Sequence, residues 1–191
     1  MQEAIRLQTE LDAHFWDNEA DGYFLTADDA EQLISRPKES YDGAIPSGNS
    51  AAALNLLRLG RMTGNTAHEE RAAALMTAFG GNIARSPMGH AMLLSAVDFG
   101  IGPSHEIVIV GDGEAADTAD ILSALRSLYL PNKVVMQRPI SDEAAAPLSA
   151  IAPFTAYQTA QNGAATAYVC QNFLCERPTT ETAVMLELLG R

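Results

Sequence analysis

The chain has 191 residues, enough for one domain with a real core or for one domain with a small appendage. Hydrophobic residues make up 47% of it, which argues against a disordered chain. The 24 acids against 12 bases leave a net charge of −12, which argues against nucleic acid or an anionic membrane as partner, since either needs a basic face. No run of about 18 apolar residues occurs, so no membrane span is expected. The N-terminus lacks a basic region followed by an apolar one, so no signal peptide is expected and the expected location is cytoplasmic.

Residues 2–14 read as an amphipathic helix, with Ile5, Leu7 and Leu11 among Glu3, Arg6, Glu10 and Asp12. Asp21-Gly22 between Phe15-Trp16 and Tyr23-Phe24 is a hairpin signal. A short helical turn is expected from Asp28 to Leu33. The next segment, Arg36 to Ser50, holds two prolines, two glycines and a set of charged, hydroxyl and amide side chains. Such a segment cannot bury itself as core, and it reads as a built polar surface. A helix over 49–62 follows, closed by Gly64. Thr66 and Glu69 have the spacing of a capping box and open a helix to about Phe79. A further helix from about Pro87 to Gly100 is apolar nearly all round, so it is expected to be buried on more than one side.

From residue 105 the texture changes. Glu106-Ile107-Val108-Ile109-Val110 reads as a buried strand. A Gly111-Asp112-Gly113 turn, a helix through Ile121, Leu122 and Leu125, and a second strand at Lys133–Met136 complete a βαβ unit with parallel strands. Residues 138–165 are expected to be irregular, with a short helix around Ser141–Ala145. A third strand is expected at Ala167–Cys170 and a last helix after Pro178, ended by Gly190. The division expected is a helical part over 1–104 and a β-α-β part over 105–191.

Gly111-Asp112-Gly113 after a strand, with Ala116 as an allowed substitute for the third glycine, resembles a dinucleotide fingerprint, but the acid expected about 20 residues on is missing. A tight strand-to-helix turn explains these glycines better. Gly48-Asn49-Ser50 lacks the preceding strand of a nucleophile elbow, so helix capping is the better reading. Cys170 and Cys175 read as structural thiols, with a disulfide across a turn as the alternative. The four histidines show no metal spacing, and no cofactor or metal is expected. His90, on an apolar helix, reads as a satisfied core histidine. Trp16, Tyr23, Phe24, Tyr41 and Asp42 combine aromatic faces with a carboxylate, which is what a sugar cleft uses. An ordinary aromatic cluster under a hairpin is the competing reading.

The Arg36–Ser50 segment, with Phe15-Trp16-Asp17, Gly22-Tyr23-Phe24, Leu56-Leu57-Arg58-Leu59-Gly60-Arg61, Tyr129-Leu130-Pro131-Asn132 and Cys170–Pro178, resembles the C-terminal region of one family. That family includes bacterial YyaL and spermatogenesis-associated protein 20. The resemblance spans nearly the whole chain. It implies an N-terminal thioredoxin-like domain, absent here, followed by a six-hairpin α/α toroid related to glycosidases and sugar epimerases. No C-x-x-C occurs, so a thiol–disulfide oxidoreductase role does not carry over. The expected fold is therefore mainly α with a small α/β part: a partial six-hairpin toroid followed by a βαβ element. About six helices are expected where a closed toroid needs twelve. Self-association or a missing N-terminal portion is then expected to cover the open edges.

The function expected is carbohydrate binding or processing, by hydrolysis or epimerisation. Asp42 and Asp17 are the general acid/base candidates. Trp16 and Tyr41 would stack on a small carbohydrate ligand, with Arg36, Lys38, Ser47, Asn49 and Ser50 lining the cavity. The alternative is a non-catalytic structural or interaction module that completes a larger thioredoxin-domain protein.

Overall fold

A computed structural model describes residues 1–31 and 34–190. The protein is mainly α-helical with a small α/β part, and it divides into two compact units. The first comprises Met1–Gly60 and Asn65–Ile101, and the second Arg61–Gly64 with the chain from Gly102 onward.

The first unit is helical. Helix α1 is Gln2–Phe15, α2 starts at Gly48 and ends at Thr63, α3 is Thr66–Ala78, α4 is Gly80–Arg85 and α5 is Ala91–Ile101. A 3₁₀ turn, Pro87–His90, leads into α5. The core is built by Leu56, Leu57, Ala72, Leu75, Leu93, Ala96 and Phe99, all nearly inaccessible. Helices α2, α3 and α5 approach one another at Gly100, where Leu57 of α2 and Met76 of α3 both lie within van der Waals reach of the position a Cβ would take.

Between α1 and α2 the chain makes a tight turn. Asp21 and Gly22 adopt φ of 54° and 80°, and Trp16 pairs with Tyr23 in a single antiparallel bridge. The expected helical turn at Asp28–Leu33 lies partly outside the described residues; Asp28 and Asp29 form a turn.

Three expectations for this unit need correction. Asn65 caps α3, accepting from the Ala67 N–H at 3.1 Å, so the helix begins one residue before the expected capping box can form. The short α4 was not expected, because Gly80 and Gly81 at its start disguise it. Helix α5 buries one stripe only: Leu93, Ala96 and Phe99 are inside, whereas Leu94 is 36% and Ile101 81% exposed.

In the second unit β1, His105–Val110, is buried at every position. It pairs in parallel with β2, Lys133–Arg138, and antiparallel with β3, Thr166–Gln171. The two-residue β4, Leu174–Cys175, gives the order β2-β1-β3-β4. Helix α6, Ala116–Ser127, and α8, Thr182–Leu188, cover one face through Ile121, Leu125 and Met185, which pack on Ile107, Ile109, Ala167 and Val169. Gly111 is set by close approach: a Cβ there would lie 2.3 Å from Thr118 Oγ1 of α6. The turn thus needs glycine for packing, without any nucleotide.

The short helix expected around Ser141–Ala145 is present and runs further, as α7, Asp142–Ile151. Ser141 caps it, accepting from the Ala144 N–H at 3.3 Å, and Asp142 and Glu143 favour its first turn. Pro147 sits inside the helix and removes one donor without ending it.

The expectation of free thiols is also corrected: Cys170 and Cys175 form a disulfide. They lie directly opposite each other on β3 and β4, joined through Asn172 and Phe173, whose φ values are 50° and 61°. A two-residue turn with both central residues left-handed fixes this register and brings the sulfurs together. Cys175 is exposed. Closing so short a loop stabilises the fold by about 2 kcal/mol. Cys175→Ser is expected to lose that amount in urea unfolding, and a reductant is expected to destabilise the native chain while leaving the variant unchanged.

Candidate functional site

The Arg36–Ser50 segment crosses the first unit, and its polar atoms are held by the chain itself. Asn49, in the first turn of α2, is 1% exposed. Its Oδ1 accepts the Tyr23 N–H at 2.6 Å, and its Nδ2 donates to the carbonyls of Tyr23 and Glu39, both at 2.8 Å. The side chain therefore pairs with Tyr23 as a neighbouring strand would. This anchors the turn around Gly22, whose φ of 80° and closeness to Phe79 exclude a side chain.

Asp42 is the chief catalytic candidate. Its Oδ1 accepts the Ser47 N–H at 2.9 Å, and its Oδ2 accepts the N–H groups of Met92 and Leu93 at 2.8 and 3.1 Å. It therefore joins the start of α5 to the segment that precedes α2. Burial alone would raise its pKa. The Ser47 N–H, the Ser50 hydroxyl and the Leu93 and Met92 N–H groups outweigh that and hold it below the usual 3.8. The sign follows: a carboxylate with a lowered folded pKa stabilises the fold above its unfolded pKa. Its contribution is expected to be lost as pH falls below about 3.8 toward the folded value. Stability measured across pH 2–7 should show that loss in the native chain and much less of it in Asp42→Asn.

Asp17, the second candidate, shares no hydrogen-bond partner with Asp42 among the described residues. Its Oδ2 accepts from Lys38 Nζ at 2.7 Å, and its Oδ1 accepts the Glu19 and Ala20 N–H groups. The Lys38 ammonium, first, and the Glu19 N–H lower its pKa. Lys38 also donates to the Asp21 carbonyl at 2.7 Å. Arg36 donates to the carbonyls of Thr26 and His14 and stacks over Phe24 at 4.2 Å.

The aromatic set is divided. Trp16 meets Tyr23 edge-on at 4.9 Å, with the Arg71 guanidinium 4.8 Å from the indole centre. The Tyr23 hydroxyl donates to Asp12, and burial, first, with that bond pushes its pKa far up. Tyr41 lies apart, edge-on to His90 at 6.3 Å, and is 58% exposed. Ser47 and Ser50 are buried and bond to each other at 2.8 Å, while Ser47 Oγ accepts the Ser50 N–H.

His90 is a satisfied core histidine, as expected. Its Nδ1 donates to the Ser86 carbonyl at 2.8 Å, which leaves Nε2 to accept from the Ser40 hydroxyl at 3.3 Å. Asn82 Nδ2 donates to the same hydroxyl. The chain Asn82–Ser40–His90 was not legible, because its three members lie on different stretches of the sequence. Among the described residues one group has metal-like proximity, with ligand atoms of His14, Asp28 and Asp29 within 4.8 Å of one another. It is largely exposed, and Asp28 already binds His14 at 2.9 Å. No helix of the described residues is long and apolar enough to cross a membrane.

The fold and this segment define a helical unit, tied together by backbone-bound polar side chains, joined to a mixed four-stranded α/β unit. Over nearly its whole length the chain is similar to part of the spermatogenesis-associated protein 20 proteins. It is 36% identical to the human protein of that name and 35% identical to the rat protein, each over 97% of the chain. An uncharacterised Caenorhabditis elegans protein is 26% identical over the whole of it. The chain spans about a quarter of the length of these relatives. No protein-family model matches it.

Proposed function

We propose that this chain is a non-catalytic structural section that completes a larger protein. The observation that carries this is the commitment of the Arg36–Ser50 polar atoms to the chain's own backbone. A general acid needs a raised pKa so that it holds a proton at neutral pH. Both candidate carboxylates are instead shifted downward, each by hydrogen bonds that fix it in place.

Two further features support this reading. Met88 is 95%, Ile101 81% and Ile45 80% exposed in the helical unit, and Leu94 of α5 is exposed as well. The relatives are about four times as long as the chain. In this reading the helical unit is part of an α/α toroid, and its exposed apolar positions meet helices that lie outside the sequence described. Without them the chain is expected to self-associate. Sedimentation velocity should show oligomers that Met88→Glu with Ile101→Glu reduces to monomers. A monodisperse wild-type monomer would contradict the reading.

A sugar-binding role keeps one specific support, the exposed ring of Tyr41, which is free to stack on a pyranose face. A thermal-shift screen against mono- and oligosaccharides separates the two. A saturable shift that Tyr41→Ala abolishes would favour the sugar reading.

A further inference from the structure

In contrast to the polar groups of the Arg36–Ser50 segment, those around one cavity of the second unit are scarcely committed. The cavity lies between α6 and the edge strand β2 and has a volume of about 310 Å³. Its lining is Leu122, Leu125 and Val135 below, with Arg126, Lys133 and Gln137 around them. It exists because α6 packs its buried residues over β1 and β3 and leaves the same face of β2 only half covered. Lys133, Val135 and Gln137 alternate along β2 and so share that face.

The charges are the informative part. In a chain of net charge −12, Arg6, Lys38, Arg61, Arg71 and Arg138 each reach an acidic side chain. The Arg126 side chain, like those of Arg58 and Arg177, makes no hydrogen bond or ion pair with any described residue. Lys133 has a single long contact, 3.4 Å to the Leu128 carbonyl, and Gln137 one of 3.4 Å to the Gly111 carbonyl. Two cations and an amide thus border an apolar floor with their hydrogen-bonding capacity almost unused.

We propose that this cavity binds a small anionic amphiphile, a carboxylate or phosphate monoester on a short apolar body. The head would bridge Arg126 and Lys133, and the body would lie on Leu122, Leu125 and Val135. At about 30 Å³ per water-sized group the cavity holds about ten non-hydrogen atoms, the size of octanoate. Its volume is at the lower end of the range for small-molecule sites, and a few polar groups over an apolar floor is their usual composition. This inference is independent of the structural role proposed for the helical unit.

The test is a titration of the isotope-labelled chain with octanoate, followed by amide chemical shifts. Octyl phosphate, octanol and acetate serve as companions. Saturable shifts confined to the neighbourhood of Leu122, Arg126, Val135 and Gln137 are expected with octanoate. Octyl phosphate in place of octanoate identifies which head the site prefers, and binding of either supports the proposal. Octanol, lacking the charge, should bind about tenfold more weakly, and acetate, lacking the body, should not saturate. Arg126→Glu with Lys133→Glu should weaken octanoate by tenfold or more. Val135→Phe keeps the charges, fills the floor and should abolish binding; circular dichroism confirms that each variant is folded. Octanol binding as tightly as octanoate, shifts scattered elsewhere, or undiminished affinity in the charge-reversed variant would overturn the proposal.

Discussion

Asn49→Ala is expected to destabilise the helical unit by about 3 kcal/mol, among the largest effects of any single change in the protein. The substitution removes three hydrogen bonds of 2.6–2.8 Å at once. It also leaves the buried N–H and C=O of Tyr23 without partners, and the cost of that desolvation exceeds the net value of the bonds. For a chain of this size the midpoint of thermal unfolding should fall by about 10 °C. Trp16 is the chain's single tryptophan and packs on Tyr23, so its fluorescence reports on this turn directly. Asn49→Asp should restore little, because it keeps the acceptor for Tyr23 but turns a second oxygen toward two carbonyls. A ligand-binding amide would behave differently: both variants would keep their stability.

In the second unit Glu106→Ala is expected to cost about 3–5 kcal/mol. Glu106 is fully buried on β1 and holds Arg61 Nη1 at 3.2 Å. Its other oxygen accepts the Phe173 N–H at 3.1 Å, and Asn172 Oδ1 accepts from the same Arg61 nitrogen at 2.8 Å. The tip of the β3–β4 hairpin, closed by the disulfide, therefore folds down over a buried ion pair. Removing one partner leaves a buried charge short of its counter-ion, and that is where most of the cost lies. Replacing both, as Arg61→Met with Glu106→Leu, should recover most of the loss, since the pair itself contributes little net stability. Hydrogen exchange of the β1 and β3 amides measures both. Equal destabilisation by the single and the double variant would mean that the hairpin contacts, rather than the charges, dominate.

Much of this fold was legible from periodicity and punctuation. The β-branched run at 106–110, the Asp21-Gly22 turn and the glycine at 64 each have a local cause, so local reading finds them. What escaped had non-local causes. The disulfide depends on a two-residue turn at Asn172-Phe173, and neither residue announces a left-handed conformation as glycine would. The open outer face of α5 could not be seen, because an all-round apolar helix reads as buried whether or not its neighbours are present. The Arg36–Ser50 segment reads in sequence as a polar surface, yet Ser40, Ser47, Asn49 and Ser50 are buried, and Asn49 and Asp42 bind backbone groups of Tyr23, Glu39, Met92 and Leu93. A side chain that binds backbone far along the chain looks the same in sequence as one that waits for a ligand.

That distinction is settled most directly at Asp42. The measurement is urea unfolding of the native chain and of Asp42→Asn at pH 7, each with and without a saccharide panel, followed by Trp16 fluorescence. As a structural tie, Asp42→Asn is expected to lower stability by about 2 kcal/mol, with no saccharide shifting either protein. A variant as stable as the native chain, with a saccharide that stabilises the native chain alone, would contradict the structural reading and make Asp42 a ligand-binding carboxylate.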